Sequence, residues 1–389
     1  MTVFFRRMAV VFLFISLLTL CCSCQTTPSS EVPTTDTPTT DTPTTDTPTT
    51  DTPTTDTPTT DTPTTDTPTT DIPTTEVLVP NAASDFDYDI FEKDGERVIR
   101  LIRYKGERTD VVIPDSIEGL PVRILLGVTK QNENGYIGVV QGVFEGTAIE
   151  SAYIPSSIRS FGLGTFAHCT MLKQVAFAKG CGITSLDTNC FEDCTALTRI
   201  DLSPLTKLMG TYYAFRDCTS LEEVVLPEGM TIIDVGSFLN CSALKSLYLP
   251  DSLETIVKNA FDGCIGLESI SVGKNLRLYE PAASNVIFNS HALKSIIFRD
   301  GVESLDGYAM FSITSPVSVE VPASVNKVSG RTFFNYSTMT ITFAGDCPQI
   351  TEKDKWYGNV IVRYNPDMVG WDNCDWSAEK GTLTLEPIE

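Results

Sequence analysis

A phenylalanine followed three residues later by cysteine recurs through the middle of the chain, and it restricts the fold more than any other feature. Phe166 leads to Cys169, Phe191 to Cys194, Phe215 to Cys218, Phe238 to Cys241 and Phe261 to Cys264. Three residues past each cysteine stands a leucine: Leu172, Leu197, Leu221, Leu244 and Leu267. The phenylalanine anchors run from Phe144 through Phe288 and Phe311 to Phe333, at spacings of 22, 25, 24, 23, 23, 27, 23 and 22 residues. An apolar period in the low twenties predicts a solenoid. One unit cannot bury its own apolar face, so each must stack on the next.

Aligned on the phenylalanine, the unit continues through Cys and Leu into x-x-Val-x-Leu-Pro, as in Leu221 to Pro227 and Leu244 to Pro250. The Leu-x-x-Val-x-Leu piece predicts a short strand with alternate side chains pointing inward. Proline has no N–H for a ladder and ends it. Met230 with Ile233, and Leu253 with Ile256, turn the chain back, and the phenylalanine and cysteine fill the core from the opposite wall. At ~4.8 Å between strands, about nine units over 144–343 make a stack ~43 Å long.

The first 24 residues predict an export signal. Arg6 and Arg7 precede an apolar run from Met8 to Leu20, too short to span a bilayer comfortably and right for a signal core. It ends in Leu20-Cys21-Cys22-Ser23-Cys24, which resembles a bacterial lipoprotein cleavage box with Cys24 as the lipidated residue. Cys21 departs from that pattern, which usually has leucine there. Residues 25–80 contain a five-residue repeat, Pro-Thr-Thr-Asp-Thr, from about Pro33 to Thr75, and no aromatic side chains. Such a segment buries too little surface to offset ordering entropy and predicts an extended stalk, ~170 Å at most in polyproline II geometry.

Entry strands and a cap are expected over 81–143. Phe86, Tyr88 and Ile90 alternate with Asp85, Asp87 and Asp89, which is strand periodicity. An EF-hand reading of those aspartates fails because Ile90 stands where the loop needs glycine. Gly127 to Gln141 reads as a loop interrupting the pattern, with a turn at Asn132-Glu133-Asn134-Gly135. A C-terminal cap is expected over 344–389.

The period lies in the leucine-rich-repeat range, and the residues resemble the repeats of BspA-like bacterial surface proteins. The stretch from Tyr104-Lys105-Gly106 through Val111 to Pro114 and on to Val122 resembles that family's entry segment, and Val360 to Pro366 with Gly370-Trp371 its closing strand and cap. Departures are the 127–141 interruption, the long repeat through Asn275 to Val286, and Thr147, His291, Thr314 and Tyr336 in cysteine positions. The expected fold is an α/β leucine-rich-repeat solenoid, a right-handed horseshoe-like superhelix rich in strand. Its short strands line the concave face, with irregular, 3-10 or short-strand structure on the convex side. The resemblance implies adhesion to host or matrix proteins or to other cell-surface proteins.

Composition narrows the chemistry. Net charge is −22, from 50 acidic and 28 basic side chains, and no basic stripe offers phosphate neutralisation, so nucleic acid is not an expected partner. A membrane is expected to be met only through the N-terminal lipid anchor. His168 and His291 are the only histidines, and no nucleophile elbow, phosphate loop or zinc-protease spacing occurs. No enzyme activity, cofactor or metal is expected. The column Cys169, Cys194, Cys218, Cys241 and Cys264 reads as buried thiols, because in-register parallel side chains keep their Cβ atoms ~4.8 Å apart, beyond usual disulfide geometry. Cys181 with Cys190, and Cys347 with Cys374, lie outside the column and are better placed to pair. His291 is expected in the core or at its edge, and His168 outside.

Binding is expected on the outward strand positions. Tyr153, Arg199, Asp201, Glu223 and Tyr248 are the side chains there most able to anchor a partner. A glycan-binding accessory protein is the alternative. It would present aromatics together, whereas Tyr153 and Tyr248 lie ~19 Å apart by strand spacing.

Overall fold

The computed structural model describes residues 78–389 except 94, 132–136, 258, 277–290, 306–310, 314, 330–331, 336, 352–356, 374–379 and 389. The export signal, Cys24, nearly all of the stalk, Phe288 and most of the Asn275 to Val286 stretch lie outside the described residues. The described chain is a strand-rich solenoid, and its helical turns are 3-10, at Ala83–Asp85 and Trp371–Asn373.

The chain enters through β1 (Phe86–Lys93) and β2 (Glu96–Tyr104), an antiparallel pair, followed by β3 (Asp110–Val112), β4 (Ser116–Ile117) and β5 (Leu120–Leu125). Phe86 is buried as its alternation requires, but Ile90 is 43% exposed, because β1 lies at the edge of its sheet. Asn81 closes the first strand of the array. Its N–H donates to Val112 O at 2.9 Å and its Oδ1 accepts Val112 N–H at 2.8 Å, so a sheet edge is covered rather than left open. The expected loop at 127–141 is instead a hairpin, β6 (Val128–Gln131) paired antiparallel with β7 (Ile137–Gln141). The Asn132-Glu133-Asn134-Gly135 run expected to turn lies outside the described residues, and Val128, Thr129, Val139 and Val140 supply strand residues on both flanks.

Each turn of the solenoid then has three sides. The first is a longer strand: β8 (Ser151–Ile154), β10 (Gln174–Phe177), β12 (Arg199–Asp201), β14 (Glu223–Val225), β16 (Ser246–Tyr248), β18 (Ser269–Val272), β19 (Ser295–Phe298), β22 (Val317–Val321) and β25 (Thr338–Phe343). The second is a strand of two or three residues: β9 (Ser160–Phe161), β11 (Ser185–Leu186), β13 (Gly210–Thr211), β15 (Ile232–Ile233), β17 (Thr255–Ile256), β20 (Ser304–Leu305), β23 (Lys327–Ser329) and β26 (Gln349–Thr351). The third is the phenylalanine corner, which becomes a parallel strand pair in β21 (Phe311–Ile313) and β24 (Phe333–Asn335), with Phe311 opposite Phe333. Two final strands, β27 (Tyr357–Tyr364) and β28 (Lys380–Pro387), extend the longer-strand sheet in the order β16-β18-β19-β22-β25-β27-β28. Parallel pairing follows from geometry, since every turn enters the wall in the same direction.

The inward positions are the ones the repeat specifies. Leu221, Val224 and Leu226 are buried, as are Leu244, Leu247 and Leu249. From the opposite corner come six phenylalanine rings in a column. Phe144 stacks on Phe166 at 4.8 Å between centroids, and the next four steps to Phe191, Phe215, Phe238 and Phe261 are 5.2 to 5.3 Å, with planes within 6° of parallel. Phe86 and Tyr104 close one end of this column. Trp371 packs on Phe343 and Tyr364 and donates Nε1–H to Gly345 O at 3.0 Å.

Two left-handed residues frame each phenylalanine. Two positions before it stand Gly164, Asn189, Tyr213, Gly236 and Asn259. Two positions after it stand His168, Asp193, Asp217, Asn240 and Gly263, all with φ between 48° and 77°. These are mainly the residue types that tolerate that region. The kink exposes backbone groups to the next turn: Phe166 N–H donates to Cys190 O and His168 N–H to Glu192 O, and the pattern repeats through Phe238 and Asn240. Corner and strand wall are thus both hydrogen-bonded from turn to turn.

The column cysteines are free and buried. Each thiol donates to the phenylalanine carbonyl one turn back: Cys169 to Phe144 at 3.0 Å, Cys194 to Phe166 at 3.2 Å, Cys218 to Phe191 at 3.0 Å, Cys241 to Phe215 and Cys264 to Phe238 at 3.1 Å. Cys181 and Cys190 are also free and buried rather than paired with each other. Cys181 donates to Pro155 O at 3.3 Å and Cys190 approaches Gly162 O at 3.7 Å, so both fill the core as small donors. Cys347 is disulfide-bonded. Cys374 lies outside the described residues.

Candidate binding face

Residues on the longer strands alternate between core and solvent, so one sheet face is built wholly from the variable positions of the repeat. In register along it stand Ser151 with Gln174, Tyr153 with Ala176, Arg199 with Glu223, Asp201 with Val225, Tyr248 with Ser271, and Ser271 with Ile297. All of these are at least partly exposed. The face is therefore the wall whose side chains the core does not dictate.

Of the five residues expected to anchor a partner, two meet. Arg199 on β12 donates Nε–H to Glu223 Oε2 on β14 at 2.9 Å, a half-exposed pair across adjacent turns. Asp201 is occupied locally, accepting the Ser203 N–H at 2.9 Å. Tyr153 is half-buried on β8, and burial, followed by the nearby Asp115 carboxylate, pushes its hydroxyl above its usual range. Tyr248 on β16 meets none of the other four and has 52% of its surface exposed.

Tyr248 has a partner that the repeat does not announce. The Arg299 guanidinium lies 4.0 Å from its ring centroid. The same guanidinium donates to Leu249 O at 2.6 Å, to Asp251 Oδ1 at 2.7 Å and to Ser271 Oγ at 3.0 Å. Arg299 thus reaches back two turns, and its planar fork holds a carbonyl, a carboxylate and a hydroxyl at once. It holds the Asp251 carboxyl below its usual value, with Lys274 adding to the effect. One face of the tyrosine rests on this cation.

A second arrangement also escapes the strand pattern. The residue just before each strand alternates in charge along the array, with one uncharged break at Thr198: Glu150, Lys173, Thr198, Glu222, Lys245, Glu268 and Lys294. Lys173 meets Glu150 at 2.7 Å, Lys245 meets Glu222 at 2.5 Å, and Lys294 meets Glu268 at 2.8 Å. All six side chains are well exposed, so each pair adds little stability. Together they neutralise one border of the face and help fix turn-to-turn register.

Among the described residues no group of three or more His, Cys, Asp or Glu side chains is arranged to hold a metal. His168 faces outward as expected and meets Asp193 at 3.2 Å. His291 is exposed rather than in the core. Four of the column thiols are held protonated: burial pushes Cys169 up to about 11 and Cys218 to about 12, and drives Cys194 and Cys241 well above the usual value. A buried, protonated thiol is a poor nucleophile and a poor metal ligand. The column belongs to packing.

Comparison with known proteins agrees with this geometry. A family model described as the BspA type leucine rich repeat region matches in six copies over residues 137–268 and 282–354, just over half of the chain. Among solved structures the chain is similar to a leucine rich repeat protein of T. pallidum, at 22% identity over 62% of this chain and 86% of that one, with a TM-score of 0.34. It is similar to a leucine rich cell surface protein of Faecalibacterium prausnitzii A2-165, at 16% identity over 70% of this chain and 96% of that one, TM-score 0.34. A leucine-rich repeat protein of Bacteroides ovatus is 15% identical over 80% of this chain and all of that one, TM-score 0.25. A comparison with curated proteins gives no match. The first matched range spans the stacked phenylalanine corners from Phe144 to Phe261, and the chain belongs to the BspA-type leucine-rich-repeat family.

Proposed function

We propose that this is an exported, non-catalytic surface protein that recognises other proteins, as an adhesin or receptor, through the outward face of its longer-strand sheet. The family is one of repeat proteins, and repeat proteins of this build use their extended strand surfaces for recognition. Tyr248 carries the reading. It is a large amphipathic side chain, half exposed, whose ring is backed by the Arg299 guanidinium at 4.0 Å. A rigid aromatic presented this way loses little conformational entropy on binding, the property that makes tyrosine a frequent hot spot. Arg199 and Glu223, Asp201 and Tyr153 form the flanking surface. Retention at the envelope through lipidated Cys24, with the threonine-rich segment as stalk, completes the proposal.

The test is binding of the full chain to immobilised matrix proteins and to intact host and bacterial cells, with Tyr248→Ala and, as a control away from the strand face, Ile265→Ala. Protein binding weakened tenfold or more by Tyr248→Ala supports the face. Unchanged binding in that variant removes it. For the anchor, Cys24→Ala is expected to release the protein from the membrane fraction, and unaltered retention would remove the lipoprotein assignment.

A further inference from the structure

The phenylalanine corner carries one residue that its backbone does not favour. Tyr213 sits two positions before Phe215 with φ of 48°. The equivalent positions in the other turns are Gly164, Asn189, Gly236 and Asn259, all residues suited to a left-handed backbone. Tyrosine is not one of them, and a bulky side chain held in this region points to function rather than to folding. Packing does not require the ring, because four other turns make the same corner without it.

The neighbouring turn is shaped to accept it. A Cβ on Gly236 would lie 2.2 Å from Tyr213 Cε1, so the glycine lets the ring lie flat against the backbone of the next turn. Tyr213 N–H donates to Val235 O at 3.1 Å, which fixes the corner against that turn. Tyr212, the residue before, meets Tyr213 at 5.0 Å between centroids with planes at 81°. Both tyrosines are half-exposed. Two aromatic rings at right angles on an outer corner form an L-shaped apolar seat, each ring bringing a phenolic hydroxyl to its rim.

The rim is polar, and among the described residues no Lys or Arg pairs with Asp234. Asp234 follows one turn on, half-exposed, with Oδ1 accepting Val235 N–H at 2.7 Å and Oδ2 left over as an acceptor. Burial raises the Tyr212 hydroxyl, and the Tyr213 hydroxyl and Asp234 carboxylate add to the effect, so these three polar groups share one neighbourhood. In the preceding turn the equivalents of Tyr212 and Tyr213 are Thr188 and Asn189, adding a hydroxyl and an amide, both half-exposed.

We infer that Tyr212 and Tyr213, with Asp234, Thr188 and Asn189 at the rim, form a saccharide-binding subsite that takes an uncharged pyranose unit of a glycan. A pyranose has an apolar C–H face that lies on an aromatic ring and a circle of hydroxyls that need fixed donors and acceptors at its edge, which is what the corner provides. A sulfated sugar or a uronic acid would bring its own negative charge against the half-exposed Asp234 carboxylate, which repels it. The subsite lies on the corner side of the solenoid, not on the strand face assigned to protein recognition, so the two assignments stand or fall separately.

The repeat supplies conservative test variants. Tyr212→Thr and Tyr213→Asn give this corner the residues of the turn at Thr188 and Asn189, and the fold already accepts them there. The full chain and the double variant are titrated with defined trisaccharides (chitotriose, maltotriose, cellotriose and mannotriose) and with a heparin trisaccharide as the anionic control, read by tyrosine fluorescence and calorimetry. The expected result is saturable binding of at least one neutral trisaccharide, no binding of the heparin fragment, and a loss of tenfold or more in the double variant at unchanged circular dichroism. Binding to none of the neutral trisaccharides, or binding retained in the double variant, overturns the inference. Protein binding that depends on Tyr248 and persists in the double variant shows that the strand-face reading is unaffected.

Discussion

Both lone pairs of the Phe191 carbonyl are used: the Cys194 N–H reaches it at 3.3 Å from the same turn and the Cys218 thiol at 3.0 Å from the next. The same double acceptance recurs at Phe166, Phe215 and Phe238. A cysteine at this position is small enough to leave room for the stacked ring and polar enough to serve the second lone pair. Alanine would fill the space less well and leave that lone pair without its donor. Cys218→Ala is expected to cost ~1–3 kcal/mol in urea unfolding, and no loss would show that the thiol contact is incidental.

The thiols of Cys169, Cys194, Cys218 and Cys241 make stability fall at high pH. Cys218 titrates near 12 in the folded chain against an ordinary 9.0, because burial opposes the thiolate. Between those values the unfolded chain binds fewer protons than the folded one, so unfolding becomes easier as pH rises. The stabilisation is complete below pH 9 and is lost on the way up through 12, at ~1.4 kcal/mol per pH unit for each such thiol. Urea midpoints measured from pH 8 to 10.5 should drop steeply, and less steeply in a Cys218→Ala, Cys241→Ala variant. Ellman's reagent should leave the seven buried thiols unmodified at pH 8 until denaturant is added.

The phenylalanine column predicts a strongly local defect. Phe215 is fully buried between Phe191 and Phe238. Phe215→Ala is expected to cost ~3–5 kcal/mol. Because each turn touches mainly its neighbours, hydrogen exchange should quicken most in the turns of Phe191, Phe215 and Phe238. A uniform increase along the chain would argue against the nearest-neighbour picture.

Much of this architecture could be read from spacing. The Phe-x-x-Cys-x-x-Leu period fixed which residues face inward, because burial of Phe191, Cys194 and Leu197 has no other geometric solution at that repeat length. The left-handed corners were present as Asn189, Asp193, Asn240 and Asn259, but the types become meaningful only once the turns are superposed. Tyr213 stayed hidden because tyrosine carries no signal for such a backbone. The ion pairs from Lys173 to Glu150 and from Lys294 to Glu268 also need the turns aligned before the opposite charges meet. Arg299 escaped for another reason: it spans two turns, and its reach depends on a rotamer. The hairpin of β6 and β7 reads as a loop because the repeat has no place for it, although Val128, Thr129, Val139 and Val140 are themselves strand residues. Cys181 and Cys190 looked free to pair because each lies outside the column, yet separate carbonyls hold them.

Tyr213 and Gly236 should be energetically coupled. Gly236→Ala places a methyl group against the tyrosine ring at a φ of 61° and is expected to cost ~1–3 kcal/mol. In a Tyr213→Asn background the ring is gone and only the backbone penalty remains. A double-mutant cycle by urea denaturation should therefore give a coupling of ~0.5 kcal/mol or more. Additive effects would mean that the ring does not rest on the glycine.

Removing the Arg299 guanidinium should release Tyr248 and Asp251 together. Arg299→Met keeps the length of the stem and deletes the donors to Leu249 O, Asp251 Oδ1 and Ser271 Oγ. The side chain is only 19% exposed, so the loss is expected to be ~1–3 kcal/mol at pH 7. Asp251 gives that loss a pH signature. Its folded carboxyl titrates below the ordinary 3.8, chiefly through the Arg299 hydrogen bond. Its contribution is therefore present above 3.8 and fades as pH falls through the folded value. The gap in urea midpoint between the native chain and Arg299→Met should accordingly narrow from pH 7 to pH 3, and the Asp251 carboxyl resonance in the variant should titrate closer to 3.8. A gap that stays constant over this range would show that the carbonyl and hydroxyl contacts, and not the carboxylate, are what Arg299 holds in place beneath Tyr248.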